Sequence, residues 1–222
     1  MSDQPAPQDQ IVLPEVLPIF PLSGVLLLPR GRLPLNIFEP RYLAMTRDAL
    51  GGERLIGMIQ PSDPGVPGMN PPVYPVGCAG RMTQFAETDD GRYLITLTGV
   101  CRFRIRQELP LLSGYRRVIP DWQPFLHDRE PPPRARFDRA RLINGLKGFF
   151  GQRQVSADWD AIDKAPGEHL VTSLAMACPF APSEKQALLE AADLDERAKL
   201  LTALLEMAAA KPASEETGGT RH

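Results

Sequence analysis

The stretch Tyr93-Leu-Ile-Thr-Leu-Thr-Gly-Val-Cys-Arg-Phe-Arg-Ile-Arg-Gln107 decides the first half of the chain. It follows the turn pair Asp90-Gly91, is rich in β-branched and aromatic residues, and closes in strict alternation. Cys101, Phe103 and Ile105 fall on one face, and Arg102, Arg104 and Arg106 on the other. A period of two means a strand with one buried side. Residues 73–86 and 93–107 therefore form a hairpin, and residues 114–122 supply a further strand.

Upstream, residues 16–20, 25–28 and 33–38 are short apolar runs cut by Pro18, Pro21, Pro29 and Pro34, and residues 54–60 read as another strand. Between them lies a helix from Pro40 to Leu50, stopped by Gly51-Gly52. Pro40 suits the first helical position. Glu39 stands where a helix dipole favours an anion, and Phe38 with Leu43 has the spacing of a hydrophobic staple. The run Leu26-Leu27-Leu28 reads in two ways, as a buried strand or as an exposed apolar groove rimmed by Arg30 and Arg32.

Downstream of Pro131-Pro132-Pro133 the period changes to helical. Residues 134–150 and 168–178 carry apolar residues at helical spacing, and Ser156 caps a short helix through residue 164. Ser183 with Gln186 and Asp193 with Glu196 have capping-box spacing ahead of two more helices. Strands followed by helices indicate an α+β fold. The expected organisation is a β-rich subdomain over residues 11–122, a helical bundle over 123–210, and solvated tails at 1–10 and 211–222.

The chain has 222 residues, 43% hydrophobic and 23% charged, with net charge −2, which fits a globular protein without a global basic field. No apolar run approaches the ~18 residues that span a bilayer, and residues 1–10 lack a signal-peptide pattern. Three cysteines, Cys78, Cys101 and Cys178, fit neither a disulfide framework nor a metal knuckle, so a cytoplasmic location is expected. There is no Gly-Lys of a phosphate loop, no Gly-x-Gly, no Gly-x-Ser-x-Gly and no His-Glu-x-x-His. His127, His169 and His222 are scattered, and Asp89-Asp90 reads as a turn. No cofactor, metal or catalytic residue is expected.

Residues 17–45, Leu-Pro-Ile-Phe-Pro-Leu-Ser-Gly-Val-Leu-Leu-Leu-Pro-Arg-Gly-Arg-Leu-Pro-Leu-Asn-Ile-Phe-Glu-Pro-Arg-Tyr-Leu-Ala-Met, resemble the opening of the Lon protease N-terminal domain. The resemblance continues through Val76-Gly77-Cys78-Ala79-Gly80-Arg81, Leu97-Thr98-Gly99-Val100-Cys101-Arg102-Phe103 and Glu184-Lys185-Gln186-Ala187-Leu188-Leu189-Glu190. It implies a pseudo-barrel subdomain of PUA-like shape followed by a helical bundle. It also implies a non-catalytic module that recognises unfolded polypeptide, with a full-length ATP-dependent protease as a further partner. Leu26, Leu28, Arg30, Arg32, Arg41 and Tyr42 are the candidate polypeptide-binding residues. Phe38, Glu39, Pro40, Gly77, Gly80 and Gly99 are the candidate structural ones. An alternative is RNA binding through Arg102, Arg104 and Arg106, with Arg116 and Arg117 on the next strand. The net charge and the low aromatic content of 7% argue against it.

Overall fold

The computed structural model describes residues 11–63, 70–131 and 136–210; both expected tails lie outside the described residues. Six strands come first: β1 (Leu17–Pro21), β2 (Arg32–Ile37), β3 (Leu55–Ile59), β4 (Val76–Glu87), β5 (Tyr93–Leu112) and β6 (Tyr115–Asp121), with α1 (Pro40–Leu50) between β2 and β3. A 3-10 helix (Gln123–Arg129) leads to α2 (Arg139–Arg153), α3 (Trp159–Lys164), α4 (Gly167–Ala177), α5 (Pro182–Glu190) and α6 (Leu194–Ala210). The fold is α+β.

β1 lies parallel to β3 and antiparallel to β6, and β3–β4, β4–β5 and β5–β6 pair antiparallel. These five strands close on themselves. Phe103 fills the ring where glycine leaves room. A Cβ on Gly57 would stand 2.8 Å from Leu17 Cδ2 and 2.9 Å from the Phe103 ring, and one on Gly77 would stand 2.6 Å from that ring. β2 pairs with the first half of β5 alone. β2, the start of β5 and the end of β4 thus run on beyond the ring as a three-stranded wing.

Two register shifts shape the β4–β5 ribbon, leaving Val100 unpaired on β5 and Thr83 unpaired on β4. Each is a bulge that bends its strand and resets the alternation. Across the Val100 bulge the face bearing Phe103 and Cys101 continues through Thr98, Thr96 and Leu94. The ring-lining face therefore becomes the open face of the wing. The opposite face, with Leu97, Ile95 and Met82, is buried.

The segment 25–28 is not a strand. Leu26, Leu27 and Leu28 enter the core in irregular backbone at 2%, 2% and 0% exposure. A Cβ on Gly80 would stand 2.6 Å from Leu27 Cδ2, and one on Gly99 would collide with the Leu28 carbonyl.

α1 starts at Pro40 as expected, but the staple does not form: Phe38 is 61% exposed. Glu39 makes no side-chain cap because its carboxylate holds Arg41, 3.0 Å from Nε and 2.9 Å from Nη2. The Tyr115 hydroxyl donates to Asp48 at 2.7 Å, tying α1 to β6.

Two compact units result, one containing the residues up to Pro131 together with Met176–Glu190, the other the remaining helices. In the first, α5 packs on the sheet through Gln186 Nε2, which donates to the Val76 carbonyl at 3.1 Å. Gln60 Nε2 donates to the Pro182 carbonyl at 3.0 Å. Ser183 lies inside α5, and the reciprocal contact comes from Glu184, whose carboxylate accepts from Ala181 N at 2.8 Å. In the second unit α2 packs on α6, with Gly148 opposite Ala209 and a bidentate Arg141–Glu206 pair at 2.7 and 2.8 Å. Asp158, not Ser156, caps α3 by accepting from Ala161 N, and Asp193 accepts from Glu196 N as its spacing suggested.

Candidate binding face

The arginine ladder expected on β5 is solvated at Arg104 and Arg106 but not at Arg102. Arg102 is 1% exposed. Its Nε and Nη2 grip Asp128 at 2.9 Å each, its backbone N–H reaches the same carboxylate at 3.0 Å, and Nη1 donates to the Leu189 carbonyl at 3.0 Å. Nη2 lies 3.1 Å from His127 Nε2, and the guanidinium carbon stands 4.7 Å over the Phe125 ring. The 3-10 helix and the end of α5 cover this part of the strand, so a residue opposite the ring interior meets a second layer of protein rather than water. Arg116, 6% exposed, is likewise occupied, bidentate on Glu108 at 2.7 and 2.8 Å and donating to the Pro71 carbonyl at 2.7 Å. Arg117 is half-buried and donates to the Pro110 carbonyl at 3.2 Å. Arg104 and Arg106 alone of the five are exposed, and two exposed guanidiniums do not make a phosphate track.

The other candidates are also placed. Leu26 and Leu28 are core and present no groove. Arg30, half-buried with φ 64°, donates to the Asp128 carbonyl at 2.6 Å. Arg41 sits over the Tyr42 ring at 4.5 Å, and Tyr42 is 6% exposed, packed on Phe20 at 4.1 Å between centroids. Burial pushes the Tyr42 phenol above its ordinary pKa. Arg32 is exposed on β2.

Titratable groups elsewhere in the unit point to packing rather than chemistry. Burial pushes the Cys101 thiol up to about 12, with Asp128 adding to the effect, so it stays protonated near neutrality. Tyr115 is raised to about 12 by burial and by its bond to Asp48. At the hairpin tip Asp90 accepts from the Thr88 hydroxyl and pairs with Arg92 at 2.8 Å, a turn arrangement. Among the described residues no group of three or more His, Cys, Asp or Glu is placed to hold a metal ion.

The open face of the wing is a candidate site that sequence reading missed. Register places Pro34, Thr96 and Gln84 in one row and Asn36, Leu94 and Ala86 in the next. They line a groove of about 800 Å³. Leu94 is 47% exposed, and Phe85 at the rim 42%. The Thr96 hydroxyl donates to Gln84 Oε1 at 2.8 Å and the Thr83 and Thr98 hydroxyls lie 3.1 Å apart, so the polar groups bond to one another and leave a shallow, nearly uncharged bed. The backbone supplies the flatness, and Leu94 with Ala86 and Pro34 supplies apolar area. Such a bed suits extended chain better than a compact ligand. A single alternating Leu in a sheet gave no sequence signal for it.

Comparison with known proteins agrees with this architecture. Solved structures of a Lon N-terminal domain protein from Xanthomonas campestris (23% identity, TM-score 0.58, 85% of this chain and 97% of that one) and of the N-terminal domain of a Mycobacterium avium complex Lon protease (17% identity, TM-score 0.59, 86% and 97%) share the fold. Lon protease of Anaeromyxobacter dehalogenans is 27% identical over 203 residues and Lon protease 2 of Myxococcus xanthus 26% over 203 residues, each alignment covering 87% of this chain. The chain spans 23% and 24% of the length of those two relatives. Residues 16–207 match the family model for the ATP-dependent protease La (LON) substrate-binding domain, and the chain belongs to that family.

Proposed function

We propose that this protein is a non-catalytic, Lon-type substrate-binding module that takes extended, unfolded polypeptide on the open face of the β2–β5–β4 wing. The observation that carries the reading is the 800 Å³ groove floored by Leu94, Ala86, Pro34 and Thr96, in a chain whose family is defined by substrate binding. Burying one leucine-sized side chain contributes about 1.5–3 kcal/mol, roughly ten- to a hundredfold in affinity. One or two apolar residues of a client are enough for reversible capture. The expected location is the cytoplasm, and among the described residues no helix is long and apolar enough to cross a membrane. A complete ATP-dependent protease is the partner to which a captured chain would pass.

The test is fluorescence anisotropy with a labelled, permanently unfolded polypeptide at low and moderate salt. Saturable binding that persists at moderate salt, and that falls about tenfold in Leu94→Asp, is the expected result. Absence of saturable binding, or a Leu94→Asp variant that binds as the parent does, would overturn the reading.

A further inference from the structure

Where the open face meets the ring, it carries a row that an apolar bed does not explain. Arg32 on β2 and Arg81 on β4 both pair in register with Thr98 on β5, so two arginines flank one threonine on the face that bears Thr96 and Leu94. Their Cα atoms are two strand spacings apart, about 10 Å, and both side chains are long enough to converge above the Thr98 hydroxyl. Arg32 is exposed and Arg81 half-buried, and neither side chain has a hydrogen-bond or ion-pair partner among the described residues. In the same unit Arg102 and Arg116 are each held bidentate by a carboxylate, and Arg41 by Glu39. The acids of the wing, Glu87, Asp89 and Asp90, lie at its hairpin end, and Glu87 is six residues along β4 from Arg81, about 20 Å away. The groove is thus positive at one end and uncharged along its bed.

We infer that the wing selects extended segments carrying an Asp or Glu side chain on the same face as, and four residues from, an apolar side chain. This rests on the polypeptide-binding reading above and adds the chemistry of the client. The carboxylate lies between Arg32 and Arg81, the geometry in which guanidinium donors meet an acid. The apolar side chain lands on Leu94 and Ala86. The spacing follows from the sheet: Thr98 and Leu94 are four residues apart, about 14 Å, and residues i and i+4 of an extended client share one face at the same separation.

The experiment uses the full chain and labelled, C-terminally amidated decapeptides with Asp and Leu four apart in either order. Companions replace Asp by Asn or move Leu to three apart. At low salt the Asp peptide should bind about fivefold tighter than the Asn peptide. The difference should shrink as salt rises and vanish in Arg32→Gln and Arg81→Gln. The three-apart peptide should lose a similar factor, and Lys199→Gln, in the other unit, should match the parent. Arg32 makes no contact that holds the fold, so Arg32→Gln should melt with the parent and decides the matter if Arg81→Gln is destabilised. If unfolded polypeptide binds with dependence on Leu94 but Asp and Asn peptides bind alike, this inference falls and the polypeptide reading stands. If no polypeptide binds, both fall. A gain seen only with a free C-terminal carboxylate, or displacement of the peptide by oligouridylate, would assign the arginines to a chain terminus or to phosphate and overturn the inference.

Discussion

The β4–β5 ribbon lives in two environments along its own length. Near Phe103 both faces are covered, one by the side chains of the ring and the other by the 3-10 helix and α5, and an arginine there is 1% exposed. Past Thr98 one face is bare, and the leucine on it is 47% exposed. A strand residue therefore becomes core or surface according to what the rest of the unit lays over it, whatever its polarity. The covered half holds the fold, and the bare half is the face on which the proposed binding would take place.

The largest expected effect lies in the covered half. Asp128→Ala strands the Arg102 guanidinium in the interior and should cost about 3–5 kcal/mol in urea unfolding. Replacing both partners, Arg102→Met with Asp128→Leu, should recover much of that loss. Recovery would show that the pair is needed because each charge is buried, not because the pair outdoes apolar packing. Gly99→Ala comes next: its methyl group would collide with the Leu28 carbonyl, a backbone atom that cannot swing aside, and about 1–3 kcal/mol should be lost.

Alkaline titration probes the covered half more gently. The folded state holds the Cys101 thiol and the Tyr115 phenol up to about 12, from ordinary values of 9.0 and 10.0. The unfolded chain therefore loses these protons first. Their contribution to stability is complete below pH 9 and is lost as pH rises towards 12. Urea midpoints measured across that range should fall less steeply in Tyr115→Phe than in the parent. The smallest expected change is in the bare half: Leu94→Ser should alter unfolding by no more than about 0.5 kcal/mol while weakening polypeptide binding. A large loss of stability there would erase the contrast between the halves.

Much of this was legible in the sequence. The Asp90-Gly91 turn, the alternation after Tyr93 and Pro40 at the start of α1 are local signals, and strands and helices stand close to where those signals put them. Arg102 was not legible, because alternation tells which residues oppose the core but not that Phe125, Asp128 and Leu189 return to cover them. Its partners lie 26 and 87 residues away. The groove was hidden for the converse reason. Leu94 and Pro34 alternate with more deeply buried residues as any sheet face does, and only the absence of a covering element makes them a surface. Leu26 to Leu28 drew attention as an apolar run, yet a run of that kind is most easily accommodated inside.

An exposed sheet with free margins invites copies of itself to stack edge to edge into insoluble assemblies. Closing five strands into a ring removes most free edges, and the wing keeps two margins, β2 and the far end of β4. Each margin carries a defect: Pro34 has no N–H to offer an incoming strand, and the bulge at Thr83 breaks the straight line of donors and acceptors. A sheet face can thus stay uncovered while the edges beside it make poor templates for aggregation.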